Sequence, residues 1–312
     1  MTYKCPLALV VFLLLFCPGP LIWAQEEKEE ETKQEITDRA QPGTQQAPPA
    51  APPPAQAEEE EDPPIQDNSF LMEEAYNQEY GVVQHINFFG RFWEGRDWTY
   101  TFTQEWPVNP APRHQLSYTI SAGHAGALTG SGAGLGDIAL NYRYQAVGSG
   151  KDRVAFSPRF SLLLPTGDSH LGRGAGAVSF QTNLPLSVAA TKKLVTHWNA
   201  GATFTPSAKN ELDQKALTAG YNLGTSFIWL AHPRFNTMLE LVFDSSESVV
   251  APDVTQRENS LLLSPGFRWA HNLKNGLQIV PGFAVPIGVG PSRGEKGIIF
   301  YLSFEHAFKK SD

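Results

Sequence analysis

A chain of 312 residues has room for one large domain or two ordinary ones, and its mean hydropathy of -0.26 excludes a polytopic α-helical membrane protein. It leaves a membrane β-barrel open, because a barrel strand turns only alternate residues toward lipid and its average stays polar. The formal charge of -8 owes much to glutamate runs before residue 65 and says little about the folded part.

The first 24 residues have the form of a signal peptide: Lys4, an apolar run from Leu7 to Phe16, then a breaker and cleavage region from Pro18 to Ala24. The run is too short to span a bilayer as a helix. Lipidation at Cys17 would require a small residue where Phe16 stands, so cleavage before Gln25 is the expectation. Cys5 and Cys17 both lie in this leader, so the mature chain is expected to have no disulfide and no thiolate metal site. No later segment holds eighteen uninterrupted apolar residues, so no spanning helix follows.

Residues 25–80 form an acidic arm with glutamate runs (Glu29 to Glu31, Glu58 to Glu61) and proline clusters (Pro52 to Pro54, Pro63-Pro64). Such a segment buries too little apolar surface to offset chain entropy and is expected to be mostly disordered, a periplasmic tether or plain linker. Near its end, Phe70 to Tyr76 has the pattern of one amphipathic helical turn after Ser69, too short to stand alone.

From Val82 the pattern changes to strict period two. Trp98, Tyr100, Phe102 and Trp106 alternate with Thr99, Thr101, Thr103 and Glu105; Ile138, Leu140, Tyr142 and Tyr144 alternate with Asp137, Asn141 and Arg143. Such runs predict about twelve strands, starting near Val82, Asp97, His114, Leu135, Arg153, Ala177, Leu194, Leu217, Phe235, Asn259, Gly276 and Gly297. The fold class is therefore all-β: a transmembrane, antiparallel, up-and-down barrel over residues 81–308, with a polar tail at 309–312. Tight connections (Pro107 to Arg113, Gly148 to Asp152, Ala190 to Lys193, Ala231 to Arg234, His271 to Asn275) alternate with long ones (Ala122 to Gly134, Pro165 to Gly176, Pro206 to Ala216, Asp244 to Glu258, Gly288 to Lys296). Short periplasmic turns and long external loops are the asymmetry of bacterial barrels. Aromatics gather where interfacial girdles belong, Trp106, Tyr144, Trp198, Trp229 and Trp269 near tight turns and Trp98 and Tyr221 nearer the long loops. The last strand ends on Phe308, like an outer-membrane assembly signal, so the barrel-assembly machinery is an expected partner, with outer-membrane lipid and a small-molecule solute. No nucleic-acid partner, cofactor or metal is expected.

Two stretches, Gly134-Leu135-Gly136-Asp137-Ile138-Ala139-Leu140-Asn141-Tyr142-Arg143-Tyr144 and Leu162-Leu163-Leu164-Pro165-Thr166-Gly167-Asp168, together resemble the outer-membrane family named for the MetA pathway of phenol degradation, described as transporters. The resemblance covers roughly Thr99 to Phe308. It implies a membrane barrel and passage of small, including aromatic, compounds, and it carries no catalytic residue.

Charges on the polar face are the candidate lumen residues: His85, Arg91, Glu105, Asp137, Arg143, Arg153, Arg159, Glu240, Arg268 and Glu305. Their signs nearly balance, which argues against strong selection for anions or cations; packing of a filled lumen is the alternative role. The glycines from Gly123 to Gly136 are followed by another strand rather than a helix, which is the wrong context for a phosphate loop, and are expected to form a flexible external loop. The eight histidines lack zinc-motif spacing, and there is no Gly-x-Ser-x-Gly elbow. The expectation is a passive outer-membrane channel for small solutes. A phospholipase-like barrel enzyme and a secreted soluble β-protein stay open as alternatives.

Overall fold

The computed structural model describes residue 65 and residues 69–93, 97–108, 110–127, 130–273 and 277–307. The leader, nearly all of the acidic arm, and Phe308 with the tail lie outside these residues.

Alternation of apolar and polar residues gives each strand two unlike faces, and the molecule uses them in the sense opposite to a soluble protein. Twelve antiparallel strands form in chain order: β1 (Val82–Phe92), β2 (Trp98–Pro107), β3 (His114–Ala127), β4 (Gly130–Leu135 and Ile138–Tyr144), β5 (Val154–Phe156 and Arg159–Leu164) and β6 (Ser179–Asn183 and Leu186–Thr191). They continue as β7 (Leu194–Lys209), β8 (Lys215–His232), β9 (Phe235–Ala251), β10 (Val254–Trp269, resumed at His271–Asn272), β11 (Gln278–Ala284 and Ile287–Gly288) and β12 (Gly297–Ala307). Each pairs with the next, and β12 returns to β1 over the whole register from Val82↔Ala307 to Phe92↔Gly297. The sheet therefore closes and leaves no free edge, which is the condition for a sheet in hydrocarbon, where water cannot pair backbone groups.

Side chains sort accordingly. Leu140, Phe160, Trp198, Phe227, Leu239, Leu241 and Phe300 are exposed on the outside, while Gln115, Asn141, Ser161, Ser226, Asn236, Glu240 and Ser303 are buried inside. Tyr221 and Trp229, eight residues apart on the outer face of β8, are separated by about 26 Å of strand. At a tilt of about 40° that is about 20 Å along the barrel axis, close to the apolar height of an outer-membrane barrel. This outward apolar belt, with the buried polar interior, is that of a membrane barrel and not of a soluble sandwich.

The end bearing Val82 and Ala307 carries the tight turns. At the other end three expected long loops are continued strands: β3, β7 and β9 run to Ala127, Lys209 and Ala251, and β9 turns into β10 through Pro252 and Asp253, the latter at φ 59°. Both faces of a strand that clears the bilayer meet water, so the sequence there resembles a loop. Apolar alternation then fades while the hydrogen-bonded ladder continues. The connection between β5 and β6 is a true loop with a single 3-10 turn, Ser169–Leu171.

Candidate functional site

The bore is not empty. Residues 69–81 enter it without helix or strand and cross its turn-end half before joining β1, so the expected helical turn does not form and these residues belong with the barrel rather than with the arm. An irregular chain inside a barrel has no ladder to satisfy its amides, and here inward side chains from successive strands do so. Ser69 Oγ donates to Ser226 Oγ at 2.7 Å; the Leu71 and Met72 amides donate to one carboxylate oxygen of Glu240 at 2.8 and 3.2 Å. The Glu73 amide donates to Asn199 Oδ1, and Asn199 Nδ2 returns a bond to the Glu73 carbonyl. Further on, the Ala75 amide reaches Ser187 Oγ, the Asn77 amide Gln145 Oε1, and the Gln78 amide Gln115 Oε1.

Apolar contacts hold the same segment. Phe70 packs on Tyr301 with ring centroids 5.2 Å apart and joins a core inside the bore with Ile228, Met238 and Ile299. A Cβ on Gly282 would lie 2.5 Å from the Phe70 ring, one on Gly266 2.8 Å from it, and one on Gly224 2.5 Å from the Met72 sulfur. These three inward glycines are the space into which the segment fits.

Charge is concentrated where Glu73 hangs from the segment. Its carboxylate lies 2.7 Å from one terminal nitrogen of Arg159 and 3.2 Å from Arg143. Arg143, only 4 % exposed, also approaches Glu105 at 4.0 Å, and Glu105 accepts a bond from Gln115 at 2.7 Å. Arg159 is fixed from behind by Asn141, Ser161 and Gln181. On the far side, Arg268 is buried, and Glu305 at the rim accepts from Gln84 at 2.8 Å.

Of the ten charges expected in the lumen, Glu105, Arg143, Arg159, Glu240, Arg268 and Glu305 lie on inward faces, and Asp137 lies at the mouth. Three do not line it. His85 stacks on Phe304 at 4.6 Å and Arg91 pairs with Ile298, both on the outer face of β1. In β1 the inward residues include Ile86 and Phe88, which pack on the core around Phe70. The inner segment thus makes the inside of this strand apolar and inverts the sense of its alternation. Arg153 sits in the tight turn before β5, exposed to water. Glu73, Gln84, Asn199 and Tyr301 were not among the expected site residues; the one sequence signal for Glu73 is that the Glu73-Glu74 pair stands between apolar Phe70-Leu71-Met72 and Ala75-Tyr76, unlike the glutamate runs of the rest of the arm.

Two chambers meet at the inner segment. A chamber of about 390 Å³ lies beside Phe70, Ile86, Phe88, Tyr301, Thr103 and Arg143. A vestibule of about 950 Å³ opens above it among Asn222, Asp244, Lys209 and the β5–β6 loop. Leu71, Glu73, Arg159 and Gln181 line both.

The two motif stretches come together at the mouth. Asp137 interrupts β4 and accepts the amides of Gly167 at 2.9 Å and Ala175 at 2.8 Å, while Thr166 Oγ1 donates to the Gly136 carbonyl at 2.9 Å. Asp168 pairs with Arg173 at 3.6 Å, and the Arg173 guanidinium lies against Gly134. The glycine-rich stretch is thus strand, and its missing side chains admit this loop; Pro165 ends β5 where the loop begins. Tyr142 and Tyr144 face outward, Tyr142 bonded to His114 at 2.7 Å. The outer aromatics expected as girdles include Trp98, which stacks on Phe89, Trp106 beside Tyr118, and Trp269 beside Phe267. One Ser–His pair is buried in the bore: Ser187 Oγ lies 2.7 Å from His197 Nδ1 and accepts the Ala75 amide, so it is engaged in holding the inner segment and turned away from lipid.

No family model matches the chain and no curated protein matches it, so the resemblance to the MetA-named family rests on the two motifs. Among solved structures the chain is similar to an outer-membrane channel from Pseudomonas putida F1, at 12 % identity and a TM-score of 0.58, over 74 % of this chain and 98 % of that one. It is also similar to the NanC porin, at 9 % identity and a TM-score of 0.46 over 71 % and 98 % of the two chains. The KdgM porin follows at 10 % identity and a TM-score of 0.43 over 73 % and 99 %. At these identities the likeness extends to the barrel fold alone.

Proposed function

We propose that the protein is a passive outer-membrane channel for small solutes, among them hydrophobic or aromatic compounds, and that it belongs to the MetA-named family it resembles. The observation that carries this reading is the pair of chambers that meet at Glu73 inside a closed barrel, the vestibule open toward the loop end and the inner chamber leading past Arg143 and Glu105 toward the turn end. The turn end faces the periplasm and carries the acidic arm there; the leader directs export, and the assembly machinery inserts the barrel. Flow through it follows the solute gradient. The mixed wall of the inner chamber, Phe88 and Tyr301 on one side and Thr103 and Asn141 on the other, suits solutes with an apolar body and a polar group.

Planar-bilayer recording tests it. The purified mature protein should give small, discrete current steps, and removal of residues 69–80 should enlarge them severalfold, since the segment crosses the bore. Absence of current from both forms, with the barrel shown folded by heat-modifiable gel mobility, would sink the reading.

A further inference from the structure

The backbone amides of Leu71 and Met72 are met by Glu240, and those of Glu73 and Ala75 by the uncharged Asn199 and Ser187. The Glu73 side chain forms ion pairs with two arginines of the wall, and that contact has the geometry of ligand recognition. One carboxylate oxygen faces Arg159 at 2.7 Å; the other accepts from Arg159 Nε at 3.0 Å and from Arg143 at 3.2 Å. A planar two-oxygen anion held in a guanidinium fork is the arrangement that recognises free carboxylates.

We propose that Arg143 and Arg159 form a carboxylate-binding site in the bore, that Glu73 is its built-in occupant, and that a small monocarboxylic acid with an apolar body displaces Glu73 from it. This rests on the channel reading and names a solute class for it.

The seat does not depend on Glu73 for its shape. Arg159 is bonded to Asn141, Ser161 and Gln181, all on the barrel wall, so its fork persists when the carboxylate leaves. The occupant is a side chain carried by the inner segment and not by the barrel wall, so it can leave without disturbing a strand. Charge sets the valence of the competitor. Two arginines face Glu73 and Glu105, with Glu74 also acting on Arg143, so exchanging the Glu73 carboxylate for one monovalent anion leaves the charge of the cluster unchanged. Arg143 Nε is buried with no hydrogen-bond partner, a donor that Glu73 leaves unused. Access is selective: the Glu73 side chain is 28 % exposed and borders both chambers, whereas Glu105 is 6 % exposed behind Arg143. For the rest of the solute, Ile86, Phe88 and Tyr301 give the 390 Å³ chamber an apolar wall. A dry cavity of about 150 Å³ is enough for a benzene ring.

Calorimetric titration of the detergent-solubilised protein with benzoate and with its uncharged analogue benzamide tests this. Glu73→Gln should bind benzoate at least tenfold more tightly than the wild type with benzamide unchanged, and adding Arg159→Met should abolish the gain. The wild type supplies a second measurement: benzoate, and not benzamide, should accelerate hydrogen exchange at the amides of Leu71 to Ala75. Equal benzoate affinity in wild type and Glu73→Gln, or wild-type exchange indifferent to benzoate, would overturn the inference. Bilayer currents from the same preparations separate the two readings, because current without benzoate competition overturns the carboxylate site alone, and competition without current overturns the channel alone.

Discussion

Asp137 and Gly167 stand thirty residues apart in the chain and 2.9 Å apart in the barrel, the carboxylate of one accepting the backbone amide of the other. The second oxygen of Asp137 takes the Ala175 amide, so one side chain ties down both ends of the β5–β6 loop over the vestibule. Hydrogen bonds to an ionised group contribute about 1.5–3 kcal/mol each. Asp137→Ala is expected to release the loop while leaving the barrel intact. Hydrogen exchange at Gly167 and Ala175 should quicken by about 30-fold or more, as a loss of about 2 kcal/mol implies, with gel mobility of the folded form unchanged. Persistent protection of both amides would contradict the clasp.

The inner segment is held at Glu240, where a single carboxylate oxygen serves the amides of Leu71 and Met72. Glu240→Ala leaves both amides without an acceptor inside the bore, at about 1–3 kcal/mol for each unsatisfied group. Larger or noisier single-channel currents are expected, together with faster exchange at Leu71 and Met72. Currents identical to wild type would mean that the segment is held by other contacts.

Room for the segment is as decisive as its bonds. A Cβ at Gly282 would stand 2.5 Å from the Phe70 ring. Gly282→Ala is therefore expected to expel Phe70 from its seat against Tyr301 at a cost of about 1–3 kcal/mol of overpacking. The expected readout again is conductance, and Gly220→Ala, whose nearest neighbour lies at 3.7 Å, is the control that should leave it unchanged.

How much of this was legible in the sequence follows from what the period-two signal encodes. It reports a contrast between faces, and wherever lipid lies on one side and water-accessible polar groups on the other, as along Leu239, Leu241 and Phe243, it gives strand, face and register together. Strand starts at Val82, His114, Leu194, Phe235 and Gly297 coincide with those expected. The signal fails where the contrast fails. Beyond the bilayer β7 to β10 are wet on both faces and looked like loops. In β1 the inner segment makes the inside apolar, so Ile86 and Phe88 point inward while His85 points out. Glu73 was invisible for a different reason: its partners Arg143 and Arg159 lie 70 and 86 residues away, and nothing local marks a carboxylate as the occupant of a distant site.

The apolar exterior makes the sharpest distinction between residues that differ by one position. Leu239 is exposed on the outer face of β9 between Phe235 and Phe243, at the middle of the apolar belt, whereas its neighbour Glu240 is buried inside. A charge at the midplane on the lipid face costs about 2–4 kcal/mol in a membrane barrel. Leu239→Arg is accordingly expected to lower the stability measured by equilibrium unfolding in lipid vesicles by that amount, without altering conductance, because the side chain never reaches the bore. A soluble arrangement in which these apolar residues pack against a second layer predicts a different result: Leu239→Arg would then abolish folding in detergent as well as in lipid, since no rearrangement of detergent hydrates a charge sealed between two sheets.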